Sequence, residues 1–441
     1  MITSDLLSDL NSVLSDSHVD EKMSPNQLYG NDGSIVVTPL TEGDIAAVLR
    51  YANDNDKTIT IEGNGSKRGF GGTKEKTDIL LSLAEYKGII EHTVGDMTII
   101  VKPGTPFQEL QDYLAEHNQK ISLDPAHPEE STIGGVIAAN DSGPKRLGYG
   151  SARDHIIGLR IAYPNGEVIR SGGKVVKNVA GYDMNKLFVG SMGTLGVVSE
   201  IALKLRPLPK YESLILLAFE EGNEEDLRSF AVRFLDSMME PVSLELLTPV
   251  LSEKLTGQKV YTLAIAFEDV ESSVHYQKDF VKNMESGASQ ITTLAQQEAK
   301  DFWKRFNRFF PNGRTEPAGQ ETEAVIKVGV KNLDVIQVLK ESELLEDAHN
   351  VSVNAHGSLG HGLCQVHVQG AHKDVIAVVG SLRETIKQLT GYAVIKHFPL
   401  ELRKTIDVWG ETPSYFFLLE GIKTKIDPKK TLNPKRYVGG L

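Results

Sequence analysis

The sequence predicts an α+β protein with two main domains and a short arm at each end. Three observations carry this. Alternating, strand-like runs interleave with helices of 3.6-residue period from residue 34 to about 390. Glycine, at 40 of 441 residues, gathers in a few dense stretches, the first directly after a strand. A proline-bearing break, RPLPKYE at Arg206 to Glu212, ends the region where those stretches are frequent. The spans read as a helical arm at 1–30, a first domain at 31–207, a second α+β domain at 208–400 and a C-terminal segment at 401–441.

Taken in order, Leu6, Leu7, Leu10, Val13 and Leu14 have helical spacing. Ser34 to Val37 is strand-like. Thr41 and Asp44 form a capping box ahead of a helix whose apolar face is Ile45, Val48, Leu49 and Ala52. Thr58 to Ile61 alternates and runs into glycines. Thr98 to Val101 is a further strand. Thr105, Pro106 and Gln108 read as N-cap, N1 and N3 of a helix with Phe107, Leu110 and Leu114 buried. Ile156 to Tyr163 and Val168 to Ser171 read as a hairpin turning at Asn165-Gly166. Val197 to Leu205 alternates again. Beyond the break come strands at Leu214 to Phe219 and Tyr261 to Phe267, helices near 224–238 and 272–284, and a comparable series from Val325 to Thr390. These look like two α+β halves, and the aromatic helix DFWKRFNRFF (Asp301 to Phe310) lies between them.

Composition excludes several classes. Apolar residues are 40%, enough for a large core. The net charge of −12 argues against a nucleic-acid binder, which needs a basic face. One cysteine, Cys364, permits neither an internal disulfide nor an iron–sulfur cluster, which usually takes four thiolates. No secretory signal or membrane-length apolar run is visible, so a cytoplasmic protein is expected, peripheral to a membrane only through partners.

The glycines carry the chemistry. IEGNGSKRGFGG (Ile61 to Gly72) follows a strand, and STIGGVIAANDSG (Ser131 to Gly143) is the centre of a second stretch. Such backbones approach an anion with no Cβ in the way, and Ser66, Ser131, Thr132, Lys67 and Arg68 add hydroxyls and charge. A phosphate or diphosphate is the natural ligand. Gly63, Gly65 and Gly69 do not have the spacing of the dinucleotide fingerprint, and no stretch matches the P-loop.

With a third stretch, KNVAGYDMNKLFVGSMGTLGVVSEIALKLRP (Lys177 to Pro207), the pattern resembles the FAD-binding domain of the vanillyl-alcohol oxidase superfamily. It is most similar to the FAD subunits of glycolate oxidase and D-2-hydroxyacid dehydrogenase. The match runs over about 30–207, with a tail match at Asp427-Pro428 and Leu432-Asn433-Pro434. The resemblance implies a two-subdomain FAD-binding fold followed by a cap domain, with the C-terminal segment returning to the FAD domain. The diphosphate loop maps onto Glu62, Gly63, Asn64, Gly65, Ser66 and Lys67. The segment along the ribityl chain and isoalloxazine maps onto Pro125, Ser131, Thr132, Gly134, Gly135, Asn140, Gly143 and Tyr149. The last stretch maps onto Gly193, Thr194, Gly196 and Val197, with Tyr182 and Asp183 in the Gly-Tyr-Asp turn. The first loop has no histidine or cysteine, so non-covalent FAD is expected. Met192 replaces the acidic residue usual in the catalytic subunits, and the 177–183 segment is closer to the second, smaller FAD subunit of glycolate oxidase.

For the substrate, NAHGSLGH (Asn354 to His361) is similar to a histidine-bracketed motif of the catalytic dehydrogenases. Asn354 replaces the first histidine, His356 is new, and His361 keeps the last position. Two histidines help hold a divalent metal in some relatives. Here the spacing is altered and no carboxylate lies nearby in sequence, so no metal is expected. The resemblance makes His397 a candidate general base, which suits a histidine's near-neutral pKa. Arg308, with Arg305, is a candidate for the substrate carboxylate. The implied function is an FAD-dependent oxidoreductase subunit acting on a small 2-hydroxy acid, with iron–sulfur and second FAD subunits as partners. A self-sufficient D-2-hydroxyacid dehydrogenase and a non-catalytic subunit stay open. Cys364 alone cannot receive the electrons, so an external acceptor is required.

Overall fold

A computed structural model of the chain describes residues 2–14, 18–22, 26–174, 182–315 and 321–441. Lys177 to Gly181 of the third glycine stretch lie outside the described residues.

Among the described residues the first domain contains two larger sheets and a short ladder of Gln119–Lys120 with Arg206–Pro207. In the first, His18–Glu21, Asp32–Thr38, Lys76–Ser82 and Ile59–Glu62 lie side by side in that order, the last three parallel. The helix Glu42–Asp54 covers this sheet, and its capping box at Thr41 and Asp44 forms as the sequence predicts. The N-terminal helix Ile2–Val13 adds Leu6, Leu10 and, just past its end, Leu14 to the same core. The second sheet is antiparallel, in the order Ile89–Thr93, Thr98–Val101, Val197–Lys204, Ile156–Ala162, Val168–Gly172. Its last two strands form the predicted hairpin, with Gly166 at φ +78° in the turn.

One cap prediction fails for a tertiary reason. The helix Phe107–Glu116 begins after Pro106, and Thr105 does not cap it. The Thr105 hydroxyl instead donates to the Lys102 carbonyl and accepts from the Gly88 N–H. The first helical N–H groups, of Phe107 and Gln108, are taken by the carbonyls of Ser131 and Pro128. Neighbouring chain thus satisfies donors that a cap would otherwise serve.

The second domain is one antiparallel sheet of eight strands. The order is Gln290–Ala295, Tyr211–Phe219, Tyr261–Asp269, Ser243–Leu247, Ser352–Ser358, Leu363–Gly370, Thr322–Gly329, Tyr392–His397. The two α+β halves are therefore fused, through Glu245↔Ser358, Leu246↔Gly357 and Leu247↔His356. Side chains alternate across the sheet. One face carries Leu244, Leu246, Val353, Ala355, Cys364, Val366, Ile326 and Val328 into a core with the helices Glu224–Leu235, Glu271–Asn283, Val335–Ala348 and His372–Gln388. The alternate residues Glu245, Asn354, His356, Gln365, His367, Val325 and Lys327 leave by the other face, where Glu245, His356, Gln365 and Lys327 meet Ser142 to Pro144 of the first domain. The aromatic helix Gln297–Asn307 packs Phe302, Trp303 and Phe306 on that same face, as a core stripe.

Candidate active site

Two spaces stand out, one walled by the first domain and the C-terminal segment, the other between the first domain and the cap sheet. The first is a cleft of about 870 Å³. Every residue from Glu62 to Lys67 lines it, with Thr132, Gly134, Gly135, Gly193, Gly196 and Val197. The loop sits against the second glycine stretch because Gly63 lacks a Cβ, which would stand 2.1 Å from Thr132 Oγ1. Thr132 in turn caps the short helix Ile133–Ala139, accepting from Gly135 N at 3.2 Å. Among the described residues, the N–H groups of Asn64, Gly65, Ser66 and Lys67 meet no protein acceptor. Four consecutive unpaired donors form a cradle for an anion. Ile61, Leu83, Pro103, Phe188 and Val198 add an apolar wall.

The cations of this loop are already paired. Arg68 forks onto Glu62 at 2.9 and 2.7 Å, and Lys67 lies 3.0 Å from Asp141. Arg436, from the C-terminal segment, lines the cleft with no ion pair among the described residues and donates to the Lys67 carbonyl at 3.1 Å. Burial lowers its pKa to about 10. Asn433 accepts from Ile61 N at 2.9 Å and donates to the Met192 carbonyl at 2.7 Å, tying the first loop to the third glycine stretch. The chemistry of the site fits a dinucleotide: amide donors and an arginine for a diphosphate, apolar surface for rings. Among the described residues no histidine or cysteine lines the cleft.

Several expected contacts fall elsewhere. Pro125 and Ser131 are buried outside the cleft wall, and the Ser131 hydroxyl donates to the Ala126 carbonyl. Asn140 ends its helix at φ 47°, its Oδ1 buried without a partner. The Thr194 hydroxyl is turned to the Ser191 carbonyl. Tyr182 is 93% exposed, with no wall to rest against. Tyr149 is drawn from the cofactor by a buried ionic cluster. Its hydroxyl donates to Glu268 at 2.7 Å, and Glu268 is also paired with Lys120 and Lys145. That cluster joins the two domains and holds the Glu268 carboxyl well below its usual range despite burial.

The second space is a cavity of about 370 Å³ between Ser142-Gly143-Pro144 and the cap sheet. Gly143 therefore lines this cavity and not the cleft. Glu245, Lys327, His356, His361 and Lys396 enter it. His356 Nδ1 lies 2.5 Å from Glu245 Oε1, leaving Glu245 Oε2 and His356 Nε2 without partners. Lys327 makes no ion pair among the described residues. Desolvation, with Lys396 and Arg146 nearby, lowers its pKa to about 8. Lys396 is held by Asp141 at 2.8 Å, so Asp141 bridges Lys67 in the cleft and Lys396 in the cavity.

Of the expected catalytic residues, His361 is in the cavity. Its Nε2 is unpartnered, and burial brings its pKa down to about 4. His397 is not. Its ring is 4% exposed, packed on Tyr29 at 4.8 Å, with its pKa lowered by burial to about 3, which suits a core residue more than a base. Arg308 is bound bidentately by Glu129 across the domain boundary and faces no cavity. Among the described residues no three His, Cys, Asp or Glu side chains converge as a metal site. Glu245, Lys327, Lys396 and Asp141 were missed. The signal that marks the first two is a single charge inside an apolar strand, LEL and IKV.

Comparison with known proteins agrees with this geometry. An FAD binding domain family matches residues 33–172. The chain is 25% identical over 422 residues to the D-lactate dehydrogenase of Archaeoglobus fulgidus, covering 92% of each. It is 38% identical over 168 residues to glycolate oxidase subunit GlcE of Escherichia coli, covering 37% of this chain and 47% of the relative. The chain carries an FAD-binding domain and is similar to FAD-linked oxidoreductases. This oxidoreductase spans about half the length of the glycolate oxidase subunits it matches. Its fold is that of p-cresol methylhydroxylase, with a TM-score of 0.75 at 15% identity, over 98% of this chain and 96% of that one. FAD is the cofactor of the oxidoreductase, and the cleft is the part of the chain whose donors suit it. No helix among the described residues is long and apolar enough to cross a membrane.

Proposed function

We propose that the chain oxidises a small 2-hydroxy acid to the 2-oxo acid and passes the electrons to a separate protein. The observation that carries this is Lys327, a partly buried ammonium with no ion pair among the described residues, lining the space between the first domain and the cap sheet. A buried charge is costly unless something pairs with it, and a small carboxylate would do so. Lys327 is expected to hold the carboxylate. Lys396, fixed by Asp141, adds positive potential at the same wall. His361, neutral and unpartnered at Nε2, is available to hydrogen-bond the hydroxyl or the forming carbonyl. Leu363 and the buried Cys364 thiol add apolar surface to the wall. Bound in the neighbouring cleft, FAD would supply the two-electron acceptor. The names of the relatives, D-lactate dehydrogenase and glycolate oxidase, support the substrate class.

The onward route rests on Cys364, which cannot build a cluster alone. The 38% identity to GlcE supports a place in a multi-subunit oxidase, with an iron–sulfur partner as the acceptor. The test is the visible spectrum of the purified chain, with D-lactate or glycolate added anaerobically. Bleaching by the chain alone supports a self-sufficient dehydrogenase, and bleaching only with partner subunits supports the oxidase subunit. An oxidised spectrum under both conditions would refute the substrate class.

A further inference from the structure

Glu245 and His356 meet across the seam where the two halves of the cap sheet join. Leu247 pairs with His356 and Glu245 with Ser358, so Glu245 and His356 sit diagonally on adjacent strands, on the same face. Their 2.5 Å contact is fully enclosed, with side-chain exposures of 2% and 4%. The ring is fixed further by Phe306 and Phe310, at centroid distances of 4.7 and 5.2 Å. With Nδ1 committed to the carboxylate, Nε2 is left without a partner on a ring that lines the cavity. His356 also stands in one row with Gln365 and Lys327 across three neighbouring strands. Their backbones are thus roughly 10 Å apart, from two strand spacings.

We propose that Glu245 and His356 form a carboxylate–imidazole dyad in which His356 Nε2 accepts the hydroxyl proton of the substrate and Glu245 fixes the ring and its tautomer. This rests on the 2-hydroxy acid reading above. In the step, the O–H bond breaks towards Nε2 and the C–O bond becomes a carbonyl. FAD held in the cleft would supply the acceptor for the α-hydrogen and its electron pair, which balances the two-electron oxidation of the acid. The His356–Glu245 pair holds the released proton. His356 is then a catalytic residue and Glu245 a positioning residue. A carboxylate behind a histidine sets which nitrogen is bare, and a positioned base contributes about 10²- to 10⁴-fold.

The experiment uses FAD-loaded protein labelled with ¹⁵N-histidine. In the neutral ring of His356 the proton is expected on Nδ1, with Nε2 bare and its resonance shifted by added oxalate. His356→Gln is expected to slow anaerobic FAD reduction by D-lactate or glycolate at least 100-fold, with the substrate dissociation constant changed less than threefold. Glu245→Gln is expected to slow it at least tenfold. An Nε2-protonated tautomer, or reduction of His356→Gln at near wild-type rate, would overturn the dyad. If the variants lose FAD or fail to fold, the wild-type tautomer decides alone. If wild type is not reduced by any 2-hydroxy acid, the substrate reading falls, while the tautomer still decides whether the dyad exists.

Discussion

Gly63 stands against Thr132 so closely that a Cβ on the first would lie 2.1 Å from the hydroxyl oxygen of the second. Gly63→Ala must therefore push the first loop off the second glycine stretch and widen the cleft. The expected result is a loss of bound FAD, read as the flavin-to-protein absorbance ratio. Adding Thr132→Ala removes the nearest atoms, so the double variant should regain part of the flavin. The regain is partial because the lost cap itself costs about 1 kcal/mol. A double variant no better than the single one would show that the contact is not the cause.

Gly65 sits at φ +75°, in the middle of the loop with four free amides. Gly65→Val adds a β-branched side chain in a backbone region that costs a non-glycine residue roughly 1–2 kcal/mol. The branch also occupies the approach to the amides. FAD affinity should fall tenfold or more in equilibrium dialysis. Normal FAD content would mean that the diphosphate is held elsewhere.

Lys327→Met keeps the stem of the side chain and deletes the charge. A charge-assisted hydrogen bond to a buried ligand is worth about 1.5–3 kcal/mol, so KM for a 2-hydroxy acid should rise about 10- to 100-fold. FAD content should be unchanged, since Lys327 does not line the cleft. An unaltered KM would remove Lys327 from substrate binding.

The same lysine sets a pH limit. Its pKa is lowered to about 8, so its charge is present below that pH and lost above it. KM should climb as pH passes 8, and the climb should vanish in Lys327→Met. Stability moves the other way. Between about 8 and the unfolded value near 10.5 the unfolded chain binds more protons, so this group makes the fold more stable as pH rises through that window. Chemical denaturation at pH 7.5 and 9.5, compared between wild type and the variant, isolates this contribution.

Arg308→Ala tests the reassignment of that residue. The side chain is about half exposed and its partner Glu129 a third exposed. Exposed pairs of this kind contribute about 0–1 kcal/mol, and salt screens them. KM and kcat should stay within twofold of wild type, with a small drop in melting temperature. A large rise in KM would return Arg308 to the substrate site.

The cofactor loop was legible because it is local. Residues 61–67 are contiguous, and glycines after a strand advertise a backbone that meets a ligand. The fold followed from the same stretches, from the hairpin at Asn165-Gly166 and from the change at Arg206 to Glu212. The second space was not legible, because its side chains come from five strands, and from the turn at His361, whose register is set by the fold. Glu245 reads in sequence as part of an apolar run, and nothing in its neighbourhood predicts that His356 will be 2.5 Å away. His397 is a candidate by resemblance and Arg308 by residue type, and in the structure His397 packs against Tyr29 while Arg308 pairs with Glu129. Tyr149 misled for the same reason, since a buried Glu268 claims its hydroxyl.

The tail that completes the cleft bears on how the protein comes to hold its flavin. Asn433 reaches Ile61 across 372 residues, Leu432 bridges Ile59, and Arg436 stands in the cleft wall. On the ribosome, the glycine loops emerge long before the wall that closes over them. Closing so long a loop carries an entropic cost that grows with the logarithm of its length. Flavin bound in the finished cleft offsets part of that cost through mass action on the closed form. The finished cleft therefore needs residues from both ends of this span, and a bound flavin would act as a clasp joining early and late parts of the chain. A fragment limited to residues 33–172 would carry the binding motifs and still lack the surface that retains the ligand.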